Sequence, residues 1–268
     1  MKKIIVPILV LLFMSCQEDD LKPTDVTASV VETLNEYELA NRVFQDVGNN
    51  AGDAVLKAES SNTAKISGSK EDPVIHVEPA NLTEFPKTIT VDFGTGILCK
   101  DGVTRKGIVK IVSTGWYGAL GSEHTTTFDG YYHEGYKVEG AHVVKNLGEN
   151  EDGELKYSVT INDGKITDGN DHSVQYKENS FRTWVAGADT PLNIWDDEYL
   201  LDGTQSGMSS RGVAYTLTIE ESLHFVLLPR SITSGILDLD IGQIKNIKLN
   251  FNNATVTILG NTYPWGIK

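Results

Sequence analysis

The amino-acid sequence predicts a mainly β chain of α+β order, in which one N-terminal amphipathic helix packs on a large curved antiparallel meander. Three observations carry that prediction. Apolar residues recur at spacings of three and four from Val26 to Val47, the period of one helix face. From about Val74 onward they alternate with polar residues, the period of a strand with one buried side. Asp-Gly and Asn-Asp-Gly pairs punctuate the alternation; they suit the tight connections of antiparallel hairpins and not the crossovers that parallel strands need.

The first fifteen residues stand apart from the fold. Lys2 and Lys3 precede an apolar run from Ile4 to Phe13, shorter than the ~20 residues of a spanning helix and patterned as an export signal. The run ends Leu12-Phe13-Met14-Ser15-Cys16, which looks like a lipobox, where bacterial lipoproteins are cleaved and acylated on the cysteine. Acyl burial of about 0.8 kcal/mol per CH₂ would let a multiply acylated Cys16 hold the chain on a membrane without a transmembrane helix. A plain secretory signal with an incidental cysteine is the alternative. Gln17, Glu18, Asp19 and Asp20 come next, and this acidic cluster either resembles the surface-export signal of Bacteroidota lipoproteins or is a solvated linker. Residues 16–24 thus read as an acidic tether behind a lipidated cysteine. Removing residues 1–15 leaves 21 basic against 37 acidic residues, a formal charge of −16. Such a body is repelled by anionic headgroups, and no nucleic-acid partner is expected for it.

Residues 25–72 read as helix and polar loop. Val26, Val30, Leu34, Tyr37, Ala40, Phe44 and Val47 form the apolar stripe, with an end expected near Gly48-Asn49-Asn50 and a short helical remnant beyond. Residues 73–268 read as one antiparallel β domain of roughly eleven to thirteen strands. Ile89, Val91 and Phe93 share a face; Val109, Ile111 and Ser113 oppose Ile108, Lys110 and Val112; Tyr157, Val159 and Ile161 alternate with Ser158 and Thr160. Turns are expected at Asp101-Gly102, Asp129-Gly130, Glu134-Gly135, Asp152-Gly153, Asp163-Gly164, Asp168-Gly169, Asp202-Gly203 and Gly260-Asn261. A sheet this wide must curl or split. An open or half-closed barrel, with the helix on its concave face or one open end, is the simplest burial, and a β-sandwich is the alternative. With Cys16 acylated, only Cys99 remains, so no intrachain disulfide forms; Cys99 is a buried small hydrophobe or a free thiol near a turn.

The stretch from Ile89-Thr90-Val91-Asp92-Phe93-Gly94-Thr95-Gly96 to Cys99-Lys100-Asp101-Gly102 and Arg105-Lys106-Gly107-Ile108, with Thr127-Phe128-Asp129-Gly130-Tyr131-Tyr132, Lys137-Val138-Glu139-Gly140 and Asn146-Leu147-Gly148, resembles a group of uncharacterised Bacteroidota lipoproteins. The likeness covers most of residues 26–268. It implies a lipid-anchored location at the outer membrane, facing the cell exterior, and no activity.

The chemical motifs are sparse. Gly94-Thr95-Gly96 follows a strand but lacks a third glycine and a helix, so the dinucleotide fingerprint fails, and no G-x-S-x-G, H-E-x-x-H or P-loop occurs. His124, His133 and His142 recur every nine residues. If Tyr132 pairs with Lys137, His124 lies opposite Lys145 and His142 opposite Thr127, which spreads the three along a hairpin as surface or half-buried residues and not as metal ligands. Asp163, Asp168 and Asp171 match no calcium loop and read as turn residues. Asp196-Asp197-Glu198 reads as a solvated acidic turn, with a glycosidase carboxylate as the alternative. Trp116, Tyr117, Trp184 and Trp195 are the candidate ligand contacts, as flat rings that stack on sugars, against a role in filling the core. No catalytic residue, metal or cofactor is expected. The function expected is a non-enzymatic, membrane-anchored surface protein that binds a glycan, lipid or protein. A structural or assembly subunit of an outer-membrane complex and an extracellular polysaccharide hydrolase are the alternatives.

Overall fold

The computed structural model describes residues 23–190 and 193–264. Cys16 and the acidic residues 17–20 lie outside the described residues. Helix α1 spans Pro23–Glu59. Fifteen strands succeed it among the described residues: β1 (Lys65–Ile66), β2 (Val74–Glu78), β3 (Lys87–Asp92), β4 (Ile97–Leu98), β5 (Thr104–Ser113), β6 (Glu123–His133), β7 (Tyr136–Glu149), β8 (Leu155–Thr167), β9 (Ser173–Ala186), β10 (Glu198–Met208), β11 (Ala214–Leu227), β12 (Arg230–Ile241), β13 (Ile244–Asn250), β14 (Thr255–Ile258) and β15 (Asn261–Pro264). They form one antiparallel sheet in sequence order, with β4 off the main path beside β5. β1 and β15 do not pair, so the sheet is an open, curled meander. The sandwich alternative does not hold. The strand count exceeds the expected one because two-residue strands such as β1, inside the stretch expected as polar loop, carry no readable alternation.

The sheet curls around α1. Val43, Phe44, Gln45, Asp46, Val47 and Gly48 are six consecutive buried residues, which a helix resting on one flat face cannot achieve. Its neighbours include β9 on one side and β3, β5 and β7 on the other. That enclosure corrects the expected helix end. α1 runs on through Gly48 and Gly52, at about 1 kcal/mol each against alanine, because Ala51, Ala54, Val55 and Ala58 continue the buried face. Gly48 is required by close approach: a Cβ there would stand 2.8 Å from His142 Nε2.

Three of the expected turns lie inside strands instead. Asp129-Gly130 falls within β6, Asp163-Gly164 within β8 and Asp202-Gly203 within β10. Each sits at a register shift, between Lys106 and Ile108 on β5, between Ile161 and Gly164 on β8, and between Leu201 and Thr204 on β10. A bulge adds a residue to one strand and sharpens its bend, so these positions curl the sheet around the helix and do not reverse the chain. Gly140, at φ +112°, shows the crowding: a Cβ would stand 2.7 Å from the carbonyl oxygen of Asp163 on the next strand.

The expected strand faces are those observed. Ile89, Val91, Val109, Ile111, Tyr157, Val159 and Ile161 are all buried on the concave side. Phe44 is the centre of this core, fully buried and stacked on Tyr176 with centroids 5.2 Å apart. Phe44→Ala is expected to cost about 3–5 kcal/mol, read as a lowered midpoint in urea denaturation with an unchanged slope.

Candidate functional site

The residues of α1 that meet the sheet are not all apolar. Two polar junctions hold the helix, on opposite sides. At the first, Asp46 accepts from Arg105 Nη2 at 2.6 Å and Nε at 3.2 Å, and His133 Nε2 lies 3.0 Å from the same oxygen. Arg105 also forks onto Asp101, at 2.9 and 2.6 Å. Burial pushes the Asp46 carboxyl up, but the His133 hydrogen bond and the Arg105 charge outweigh it and hold the group below the usual carboxylate range. One guanidinium therefore faces two carboxylates, and its charge is compensated.

The second junction differs. Arg182, on β9, is 8% exposed, and its Nη2 and Nη1 donate to the amide oxygens of Gln45 at 2.6 Å and Asn49 at 3.2 Å. Those acceptors are neutral. Among the described residues no carboxylate forms an ion pair with Arg182, and its buried Nε has no hydrogen-bond partner. The guanidinium lies over the Tyr199 ring, 4.8 Å from its centroid, and Tyr199 stacks on Trp184 at 5.9 Å. Asp197, only 3% exposed, accepts from Trp184 Nε1 at 3.2 Å and from the Tyr199 hydroxyl at 2.8 Å. Burial raises the Asp197 carboxyl to about 6, with those two hydrogen bonds and the Arg182 charge opposing the rise.

Between these groups and the helix is a pocket with about 20 Å³ of cavity, room for a water molecule or a small polar group. Arg182, Trp184, Asp197 and Tyr199 form its sheet wall, Tyr117 and Leu227 close it, and Gly48, Asn49, Gly52, Asp53 and Leu56 form its helix wall. The Tyr117 hydroxyl faces Gly52, where an added Cβ would stand 3.4 Å away. Tyr117 is fixed from behind: its N–H donates to Glu59 at 2.6 Å, its carbonyl accepts from Asn146 at 3.0 Å, and its ring packs on His124 and Tyr157. Burial lifts Glu59 to about 7, opposed by that N–H and the Lys87 charge.

Of the four candidate aromatic contacts, Tyr117 and Trp184 thus converge on one pocket. Trp116 and Trp195 do not line it. Trp116 is 40% exposed and packs edge-on against Phe85 at 5.7 Å, and Trp195 is 46% exposed in the short 3₁₀ turn Ile194–Asp196. Both stand on the loops at the C-terminal end of α1, with exposed Leu120 and Leu228. The acidic-turn reading of Asp196-Asp197-Glu198 fails at its middle residue. Asp196 is exposed and accepts from Thr190, and Glu198 meets His224, but Asp197 turns inward.

The histidines are also corrected. Tyr132 does pair with Lys137, but a register shift beyond it places His124 opposite Val144 and His142 opposite Thr126. All three rings are buried on the concave face, not at the surface. His124 bonds Ser113 through Nδ1 at 2.9 Å, and burial lowers it to about 4. His142 packs on Gly48, and burial, aided by the Arg182 charge, lowers it to about 3. Among the described residues no three His, Cys, Asp or Glu side chains group as a metal site. Asp168 spends one oxygen on the N–H groups of Asn170 and His172 in its own turn. Cys99 is half-buried beside the Lys100–Gly102 turn, and burial raises its thiol.

Sequence reasoning missed Arg182, Asn49 and Gly52. The signal for Arg182 was parity: Val174, Tyr176, Glu178, Ser180, Arg182 and Trp184 occupy one face of β9 and are all buried. Compared with known proteins, the chain matches no family model, no curated protein and no solved structure.

Two titrations test these assignments. The His124 and His142 rings are expected to stay neutral between pH 8 and 5.5, seen as constant ring-nitrogen shifts by NMR. Because both fold with pKa values below the unfolded ~6.5, the stability they contribute is present above that value and is lost as pH falls through 4 and 3. Asp197 has the opposite sign: its folded pKa lies above the unfolded one, so its contribution is present below about pH 4 and lost as pH rises through about 6. Asp197→Asn should therefore match wild type in thermal midpoint near pH 4 and exceed it at pH 8. Trp184 fluorescence should titrate near pH 6 in wild type and not in the variant.

Proposed function

We propose that this chain is an exported, lipid-anchored, non-enzymatic binding protein that presents its site on the side away from the membrane, at the outer surface of the cell. The observation that carries the reading is polarity. α1 begins at Pro23, directly behind the tether, and its 37 residues span about 55 Å. The Arg182 pocket and the loops bearing Trp116, Leu120, Trp195 and Leu228 lie toward its other end. A tether at Cys16 would thus hold the exposed apolar loops far from the bilayer, where such residues serve contacts with partners or ligands. No helix among the described residues is long and apolar enough to cross a membrane.

A hydrolase reading has one observation in its favour, since Asp53 and Asp197 line the same pocket. Both are engaged. Asp53 is ion-paired with Lys57 at 2.6 Å, and both Asp197 oxygens accept hydrogen bonds. Binding is the better account.

Cys16→Ser should move the protein from the membrane to the soluble fraction; retention of the variant on membranes would overturn lipidation. Leu120→Cys, placed on an exposed loop, should react with an impermeant maleimide on intact cells. Labelling only after the outer membrane is permeabilised would refute the outward orientation. Neutralising Glu18, Asp19 and Asp20 should abolish that labelling while leaving the protein on the membrane.

A further inference from the structure

We infer that the end of the bowl nearest the C-terminus of α1 is a docking surface for a basic, apolar polypeptide segment of a partner protein, met by Trp116, Leu120, Trp195 and Leu228 and by the unpaired carboxylates of the same loops. The inference rests on the binding reading above and names the chemistry of its partner. Neighbouring strands alternate in direction, so the connections β2–β3, β5–β6, β7–β8, β9–β10 and β11–β12 all emerge at this end. Contacts join them into one surface. The Phe85 ring meets Trp116 at 5.7 Å, and Leu120 lies against the end of β7, where a Cβ on Gly148 would stand 3.0 Å from its Cδ1. Tyr117, Asp197 and Leu227 line one pocket, and the Leu227 N–H donates to the Asp197 carbonyl oxygen at 3.4 Å. Beside them Leu120 and Leu228 are 76% and 70% exposed, well beyond what a scattered surface leucine needs in order to be ordinary.

Charge decides what covers this surface. Residues 79–86, 114–122, 150–154, 187–190, 193–197 and 228–229 contain no Lys, Arg or His. Glu84, Glu151, Asp152, Asp189 and Asp196 stand exposed among them, and among the described residues none of the five belongs to an ion pair. Cations sit only on the strands behind: Arg230 opens β12, and Lys87 is buried, with its ammonium donating to the carbonyl oxygens of Pro79 and Asn81. The other end of the bowl is built differently. There Lys100 meets Asp72 at 2.7 Å, Arg105 meets Asp101 at 2.6 Å, Arg211 meets Glu32 at 2.8 Å and Arg42 meets Glu134 at 3.7 Å. The chain thus pairs its loop acids at one end and leaves them open at the other, around its exposed tryptophans.

These features select the partner by elimination. Five carboxylates repel an anionic bilayer, a polyanion or a second copy of this chain, whose own formal charge is −14. A neutral glycan would stack on Trp116 and Trp195 but would leave Leu120, Leu228 and the carboxylates without use. A segment that intersperses Lys or Arg with Leu or Phe satisfies both, its apolar side chains covering the leucines and tryptophans and its cations meeting the acids at the rim.

The test uses the full chain carrying Cys16→Ser and a fluorescein-labelled helical peptide made of Leu and Lys, with binding read by anisotropy. Counterparts with Ser for Leu, or Glu for Lys, are expected to bind at least about tenfold more weakly. Leu120→Ser combined with Leu228→Ser should lower the affinity about tenfold, and Glu84→Lys combined with Asp189→Lys as much. Glu38→Lys combined with Glu71→Lys makes the same change of net charge away from these loops and should leave the affinity within about twofold. All these positions are exposed, so urea midpoints should match wild type and confirm that each variant is folded. An equal loss from both pairs of charge reversals, or full binding of the Ser-for-Leu peptide, would overturn the inference, since charge alone would then explain the binding. Wild-type binding to phosphatidylcholine vesicles that the two leucine changes abolish would assign the surface to a bilayer instead. Either failure leaves the maleimide result on intact cells standing, so the partner and the surface-display reading fail separately.

Discussion

A carboxylate carried into the middle of a curled sheet, as Asp46 is on α1, must be met by donors and cations that the sheet supplies, because isolated buried charge is too costly to keep. Arg105 and His133 meet it from β5 and β6, and Asp101 completes the fork. Such a cluster adds little net stability over an apolar replacement, since desolvation consumes most of the Coulombic gain. Its effect is on register. Gln45 and Asp46 are neighbours on the helix, about 100° apart, and they reach β9 and β5 on opposite sides of the bowl. A rotation or one-turn slide of α1 would strand charge on both sides at once. Apolar packing around Phe44 and Val47 tolerates small shifts far better, so the polar contacts set the position and the apolar contacts supply the burial.

The two internal arginines make a controlled comparison within one molecule. Arg105 is paired with two carboxylates and Arg182 with two amides, although both are buried, both reach α1, and both rise from inward positions of long strands. The fold therefore meets one internal guanidinium with direct ion pairs and the other with hydrogen bonds to neutral amides. Asp197 feels the Arg182 charge without a direct ion pair: its oxygens accept from Trp184 and Tyr199, and burial lifts its carboxyl against that charge. Glu178, four residues along the same face, is also lifted by burial, and Tyr176 and Ser180 occupy its oxygens. On this side burial lifts both acids, and the Arg182 charge opposes the rise at each of them.

The architecture was legible from the sequence because it rests on apolar periodicity. Ile89, Val91, Tyr157 and Ile161 point where alternation places them, and Val30, Tyr37, Ala40, Phe44 and Val47 form the buried helix stripe. Two physical effects hid the rest. An Asp-Gly pair suits a turn and a bulge alike, since both need a backbone that tolerates positive φ, and only strand pairing separates them. Polar residues on an inward face look like outward residues unless strand parity is traced through them, which is why Glu178, Arg182 and His142 were hidden. At the site, residue type alone named four aromatics, of which the fold brings Tyr117 and Trp184 to one pocket and leaves Trp116 and Trp195 outside it. The difference lies in loop geometry, which brings Tyr117 under the helix and leaves Trp116 outside against Phe85.

The position of α1 also decides what kind of ligand the binding reading admits. An open β bowl with a helix suggests a carrier whose apolar cargo lies beneath a lid. Here the helix is the filling, with Val43 to Gly48 buried on every side. Cargo of lipid size could enter only if α1 left, and its departure would strand Arg105, His133 and Arg182 without Asp46, Gln45 and Asn49. Breaking one buried charge pair alone costs about 3–5 kcal/mol, before the loss of Phe44 and its neighbours is counted. Acyl burial at ~0.8 kcal/mol per CH₂ would offset that only for a long chain fully enclosed, and the polar inner faces of β6, β7 and β9 offer no such lining. On the binding reading a ligand is therefore confined to the end of the bowl, where the pocket lies between Gly52 on the helix and Arg182 on the sheet.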